Sequence, residues 1–364
     1  MKIARVRLRN FKRFGDLELN ICNRATGDIA SSYLIIGDNG TGKTTVLQAI
    51  ALCLSMAAST TRSVREFDWL GWVPGRFERW GKPVIELEVH FSMAEIEATR
   101  EAALRWFRSR NGVTEGQPFV EPGDSPVVTV RMEGEHFEAG TREQLYQLRG
   151  RSYAAQLLRT DHTARELFDL LPGVFWFDQF RNLASPPSEE SGEETGTGRV
   201  TFQIGVARLR QHLNRWQMAR IAGRQAPGPR DFLLELENLY KTVFTGRSFG
   251  LPEPMYRGGV PTPDDYYFIL SDGNRTYDIE EMSAGEQSVF PLLYEAVRLQ
   301  FRHSVILIDE VDLNLHPPLA QALVRALPRI GPECQFFLTT HSEAVTSIVS
   351  PEQTHRLPGG RLCL

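Results

Sequence analysis

The chain has 364 residues, with 41 basic against 45 acidic side chains and a formal charge of −4. Hydrophobic residues make up 41% and charged residues 24%, close to the globular average, which excludes a disordered, collagen-like or membrane-embedded chain. Its length accommodates one large domain or two ordinary ones, either with a substantial core.

No apolar run approaches the ~20 residues that span a bilayer. Lys2, Arg5 and Arg7 stand where a signal peptide keeps its apolar segment, so a cytoplasmic location is expected. The cysteines Cys22, Cys53, Cys334 and Cys363 are scattered without metal spacing and read as thiols rather than disulfides or zinc ligands. Arginine outnumbers lysine 36 to 5. Genomic base composition accounts for this more readily than function, although guanidinium does grip phosphate bidentately. A near-neutral net charge leaves any nucleic-acid surface to a local patch.

In chain order, residues 3–8 and 17–21 alternate apolar with polar side chains and 33–36 is a short apolar run, so the first 40 residues predict strands. An apolar helix is expected over 44–56. Residues 84–91 alternate as a strand, 127–137 predict a hairpin around Glu133-Gly134-Glu135, and 142–171 turn helical. Residues 185–198 are polar, acidic and rich in turn formers, the composition of a mobile loop. Helices are expected over 206–221 and 231–243, separated by 223–229, and 250–265 are Pro/Gly-rich. Ser271-Asp272-Gly273-Asn274 between 266–270 and 275–279 signals a hairpin. The final hundred residues alternate helix 285–302, strand 305–308, helix 319–327 and strand 335–338. That alternation predicts an α/β fold with a mostly parallel sheet. No internal repeat is present, and no heptad pattern lasts long enough for a coiled coil.

Gly37-Asp38-Asn39-Gly40-Thr41-Gly42-Lys43-Thr44 matches G-x-x-x-x-G-K-[ST], with an apolar strand leading in and an apolar helix leading out. Glycines let the backbone wrap a phosphate at a helix N-terminus. Lys43 is then expected on the β and γ phosphates of ATP and Thr44 on Mg²⁺, with Asn39, Gly40, Gly42 and Thr45 lining the same loop. The bland alternative is a glycine turn before a helix. The buried run 305–308 ends in Asp309-Glu310. Asp309 is expected to bind Mg²⁺, and Glu310 to orient and deprotonate the attacking water.

Met282-Ser283-Ala284-Gly285-Glu286-Gln287 resembles the signature motif of ABC-type ATPases, and its Glu after the glycine resembles the SMC, RecF and OLD-like branch. Ala284 departs from the usual glycine pair. The resemblance implies a P-loop NTPase fold, an ABC-ATPase head, with an antiparallel β subdomain and an inserted helical region. It also implies that Ser283 and Gly285 complete the ATP site of an opposite protomer. Locally the same residues read equally well as a Ser N-cap with a Glu286 capping box. Residues 311–317 resemble the D-loop, which would put Asp312 at the dimer contact. Thr339-Thr340-His341-Ser342 resembles the switch segment, with His341 sensing the γ-phosphate, and His316 reads as scaffold. Gln179, ending the apolar run from Val174, is the candidate Q-loop ligand for Mg²⁺ or water. Leu8-Arg9-Asn10-Phe11-Lys12-Arg13-Phe14 resembles the segment that opens these ATPases, where Lys12 or Arg13 would approach the nucleotide.

These motifs cover residues 1–60 and about 265–364. The expected organisation is a single head over 1–364: a lobe over 1–140 with the phosphate loop and β subdomain, a helical, loop-rich insertion over 141–260, and a C-terminal lobe over 261–364. The 23 residues after His341 leave too little room for an OLD-type nuclease domain, so if the chain contributes to nucleic-acid cleavage the nuclease is expected on another polypeptide. The leading expectation is an ATPase, a homodimer sandwiching ATP, that switches a surface for DNA, RNA or a protein effector such as a nuclease or toxin. DNA repair or anti-phage defence is the implied setting. The alternatives are the nucleotide-binding subunit of an ABC transporter, and a module that closes on ATP without turnover, against which Glu310 argues. Arg208, Arg210, Arg215 and Arg220 beside Leu209, Leu213 and Trp216 make 206–221 either a phosphate-contacting face or, more simply, a solvated amphipathic helix.

Overall fold

The computed structural model describes residues 1–23, 26–61, 63–67, 69, 71–110, 119–179, 206–223, 230–256, 262 and 265–358. The expected mobile loop 185–198, the separator 223–229 beyond Gly223, and Cys363 lie outside the described residues.

The N-terminal residues build an antiparallel sheet. β1 (Lys2–Phe11), β2 (Phe14–Asn20), β4 (Val84–His90), β5 (Val127–Glu133) and β6 (His136–Ala139) run in the order β2-β1-β4-β5-β6. Their alternation sets the two faces. Ile3, Val6, Leu8, Ile85 and Leu87 are buried, while the opposite face carries Arg5 against Glu86 and Glu88. The other main sheet is parallel throughout. β3 (Ser32–Ile36), β7 (Val174–Phe177), β13 (Val305–Ile308), β14 (Gln335–Thr340) and β15 (Thr354–Arg356) pair in the order β15-β3-β14-β13-β7. These strands are continuous apolar runs because both faces of the sheet are covered.

Between the sheets lies α1 (Lys43–Ala57), whose side chains from Val46 to Ala57 are buried. A helix apolar all round has to sit inside a core, and here one core joins it to Ile3, Leu87 and Val130 of one sheet and Trp176, Leu307 and Phe337 of the other. A second core covers the far face of the parallel sheet with α6 (Phe232–Val243), α7 (Ala284–Arg298) and α8 (Pro317–Ile330), together with Leu209 and Leu213 of α5 (Val206–Ile221).

The region expected to be helical over 142–171 is broken into α3 (Arg142–Tyr146), α4 (Gly150–Leu157) and 3₁₀ turns. It packs on α2 (Met93–Arg110), a helix that the sequence reading left out, through a small cluster of Ala102, Tyr153, Leu157 and Leu171. The alanines at 98, 102 and 103 on α2 signal close packing more than amphipathicity. Short strands β8 (Ser248–Phe249), β9 (Glu253–Pro254), β10 (Tyr266–Tyr267), β11 (Ile269–Ser271) and β12 (Thr276–Asp278) complete the C-terminal half, with the expected hairpin at β11–β12. A last short helix, α9 (Glu343–Thr346), follows β14. No described helix is long and apolar enough to cross a membrane.

Candidate functional site

Every core motif emerges from one edge of the parallel sheet. β3 and β14 end in register at Ile36 and Thr340, and Ile308 of β13 pairs with Leu338 and with Phe177 of β7. The phosphate loop, Asp309-Glu310, His341 and Gln179 all follow those strand ends. In open α/β sheets this carboxyl edge is where ligands bind.

Gly40 and Gly42 adopt left-handed backbone (φ 75° and 103°), which side chains resist. Space is as short as conformation: a Cβ at Gly42 would lie 2.6 Å from both Arg13 Cδ and Phe14 Cζ. The turn between β1 and β2 thus roofs the loop. Of the two candidate bases Lys12 and Arg13, the structure brings Arg13 to the loop, whereas Lys12 Nζ donates to Gln48 Oε1 (2.6 Å) and the Gly71 carbonyl (3.1 Å) over the Trp72 ring. Burial lowers the Lys12 ammonium to about 8. Beside Arg13 opens a cavity of about 660 Å³ lined by Lys12, Phe14, Trp72, Phe77, Arg79 and Trp80, the size and chemistry of a small-molecule site. The aromatic residues in it were not singled out from sequence; three tryptophans, Trp69, Trp72 and Trp80, within twelve residues were the available signal.

Lys43 is 6% exposed and donates to its own loop, at the Gly37 and Asp38 carbonyls (2.9 and 3.2 Å), and to His341 Nε2 (2.8 Å). An ammonium has no acceptor capacity, so Nε2 of His341 presents its lone pair. Burial lowers the Lys43 pKa, and the carboxylates of Asp309, Glu310, Asp38 and Asp312 oppose that shift.

Asp309, 2% exposed, accepts from Thr44 Oγ1 at Oδ2 (2.8 Å) and from Thr339 Oγ1 at Oδ1 (2.6 Å). Thr339 also accepts the Glu310 amide proton (2.7 Å), and Glu310 sits in left-handed backbone (φ 47°), a conformation that clusters at functional positions. The pattern pointed at His341 and passed over Thr339, whose neighbour Thr340 donates to Asp312 and accepts from the Ser342 amide (2.9 Å). Thr44 and Asp309 offer hard oxygens side by side, which suits Mg²⁺, an ion that takes few protein ligands and keeps water or phosphate for the rest. Among the described residues there is no group of three or more His, Cys, Asp or Glu that could hold a metal, and the described cysteines are free thiols. Gln179 follows β7, the strand next to Asp309, and is half-buried. Asn39 is exposed in the loop and Thr45 is half-buried in the first turn of α1.

The capping-box reading of the signature segment is realised. Ser283 N-caps α7, its hydroxyl accepting from the Glu286 amide while Glu286 reaches back to the Ser283 amide. Gly285 lies against the D-loop: a Cβ there would be 3.2 Å from the Asn314 carbonyl. Ser283 is exposed, and among the described residues no hydrogen bond links it to the phosphate loop of its own chain. On α5, Arg210 is 13% exposed and turned inward onto Asp278 and Glu280 (2.5 and 2.7 Å), and Arg220 pairs with Asp231. The side chain of Arg208 is outside the described set. Among the described side chains of that helix's candidate phosphate face, Arg215 and Arg220 are exposed.

Comparison with known proteins agrees with this geometry. Residues 171–347 match the family model described as "AAA domain, putative AbiEii toxin, Type IV TA system", and residues 1–96 match an AAA ATPase domain. Both family models describe AAA-type ATPase domains, and together they take in about three quarters of the chain. It is 45% identical over 103 residues to the retron Vc95 probable ATPase of Vibrio cholerae serotype O1 biovar El Tor, covering 25% of this chain and 20% of the relative. It is 27% identical over 107 residues to Septu protein PtuA of Bacillus thuringiensis, covering 26% of this chain and 27% of the relative. The matches thus span only a fifth to about a quarter of those relatives' lengths. In fold, the chain resembles the Smc head bound to the C-terminal winged-helix domain of ScpA (TM-score 0.51, 14% identity, 95% and 92% coverage).

Proposed function

We propose that the chain binds and hydrolyses ATP as an ABC-type head, two copies closing around two nucleotides and thereby switching a surface for a protein effector or nucleic acid. The observation that carries this reading is the convergence of Lys43, Thr44, Asp309, Glu310 and His341 on one sheet edge.

In this reading Lys43 exchanges the Gly37 and Asp38 carbonyls for β- and γ-phosphate oxygens, and Arg13 lies over the phosphates from the roof of the loop. The base and ribose occupy the aromatic cavity beside Arg13. Thr44 Oγ1 and Asp309 Oδ2 would hold Mg²⁺, which would supply neutralising charge to the phosphates, and Gln179 is a further candidate ligand. Glu310, fixed through its amide by Thr339, accepts the proton of the attacking water. His341, with Nε2 facing the Lys43 ammonium, sits where the γ-phosphate arrives. Ser283, Gly285 and Asp312 act on the second protomer, a reading consistent with Ser283 being exposed and, among the described residues, hydrogen-bonded to Glu286 rather than to its own loop. We place the whole chain in one head with the 141–260 region inserted, working in the cytoplasm. The retron and Septu relatives favour anti-phage defence with a separate nuclease or toxin over DNA repair.

Two variants test it. Glu310→Gln should bind ATP and accumulate as an ATP-dependent dimer without turnover. Ser283→Arg should bind ATP as the parent does yet neither dimerise nor hydrolyse. Normal hydrolysis by Ser283→Arg would refute the two-protomer site.

A further inference from the structure

Helix α7 starts at the signature serine and is held along its length by the region 141–260. In its first turn Glu286, 2% exposed, has both carboxylate oxygens fully used. Oε2 accepts from the amide and the hydroxyl of Ser283 (3.0 and 2.7 Å). Oε1 accepts from the hydroxyls of Tyr277 (2.6 Å) and Tyr240 and from the Arg247 guanidinium. Burial alone would raise this carboxyl, but Arg247, Tyr240, Tyr277 and Ser283 hold it down at about 2. Further along, Tyr294 hydrogen-bonds His212 (2.6 Å) and stacks on Trp216 of α5. At the far end the Arg151 guanidinium of α4 donates to the Leu299 and Gln300 carbonyls (2.9 and 2.8 Å), capping the helix where its dipole is negative.

An ionised carboxylate only accepts, so the Ser283 hydroxyl proton is committed to Glu286. The same oxygen also accepts the Glu286 amide (3.3 Å). A phosphate oxygen needs a donor. Ser283 can serve one only when its proton swings away from Glu286, and that costs least while Tyr240, Tyr277 and Arg247 keep the buried carboxylate satisfied.

We infer that Glu286, Tyr240, Tyr277 and Arg247 are positioning residues for Ser283, and that through Tyr240 and Arg247 the inserted region sets how readily that serine turns to the phosphate held by a second copy of this chain. The inference rests on the two-protomer reading above. It gives the insertion a role in the composite site without any contact with the nucleotide.

The test uses the full chain carrying Glu310→Gln as parent, with Tyr240→Phe/Tyr277→Phe added. Both rings remain, so the packing of Tyr240 against Phe244, Phe249 and Phe290 is retained. Binding of a fluorescent ATP analogue to the protomer should be unchanged. The dimer dissociation constant, read by sedimentation, should rise about tenfold or more, the loss expected for charge-assisted hydrogen bonds. With Glu310 restored, kcat should fall while KM for ATP stays put. Arg247→Met should behave like the tyrosine pair and Arg247→Lys should recover most of the dimer. Dimerisation equal to the parent's overturns the inference alone. A joint fall in ATP binding, thermal midpoint and dimerisation also overturns it, because that is general loosening of the fold. A parent that stays monomeric with ATP removes the composite site and this inference together.

Discussion

Replacing Thr339 by valine removes one hydroxyl and keeps the branched shape. Thr339 is fully buried, donates to Asp309 Oδ1 at 2.6 Å and accepts from the Glu310 amide at 2.7 Å. A hydrogen bond to a charged group contributes about 1.5–3 kcal/mol, and a stranded buried donor costs about 1–3 kcal/mol. Both losses fall on the carboxylate proposed to hold Mg²⁺ and on the backbone of the proposed base, already in left-handed conformation at φ 47°. Removing a group that orients a metal ligand typically weakens the metal site about 10–100-fold. The Mg²⁺ half-saturation of ATP hydrolysis should therefore rise within that range, and the gain in ATP affinity that Mg²⁺ brings should shrink when binding is measured without turnover. ATP binding in EDTA should be spared, since Lys43 and the loop are untouched. Thr339→Ser should restore the parent's Mg²⁺ dependence. A valine variant with the parent's half-saturation would show that Asp309 and Glu310 are held by something else.

Lys43→Ala should abolish ATP binding altogether, measured by titration calorimetry, because the ammonium is the buried cation of the loop; retained binding would displace the phosphate site. Gly42→Ala should also lose ATP binding, since φ 103° and a Cβ 2.6 Å from Arg13 and Phe14 force the loop and its roof apart; normal binding would show that the roof yields. Lys12 gives a pH signature. Its pKa is lowered by burial to about 8 from 10.5, so between those values the unfolded chain binds more protons and stability contributed by this site rises with pH. The denaturation midpoint of the parent relative to Lys12→Met should climb from pH 8 towards pH 10. A flat or falling difference would mean that the ammonium is not desolvated.

The loops at the carboxyl edge of the parallel sheet were legible in their residues because local chemistry dictates them. A phosphate loop needs glycine where the backbone turns left-handed, and Gly40 and Gly42 do so. Buried parallel strands need unbroken apolar runs, as at 33–36 and 305–308, and an all-round apolar helix such as α1 has to lie between layers. The same local logic read the Ser283 capping box and the hairpin at 271–274. Where an interaction joins residues distant in sequence, composition was silent. Whether Lys12 or Arg13 faced the loop depended on how the β1–β2 turn folds onto residues 71–80. Thr339 became a bridge only when β14 was laid beside β13. α2 was missed because its buried face is made of alanines answering α4. The arginines of α5 had equal claims to solvent or phosphate until Asp278 and Glu280 were brought up to Arg210. Sequence thus determined which chemistry sits at each strand end, since that depends on residue type and backbone conformation; tertiary packing alone decided which partners each charge meets.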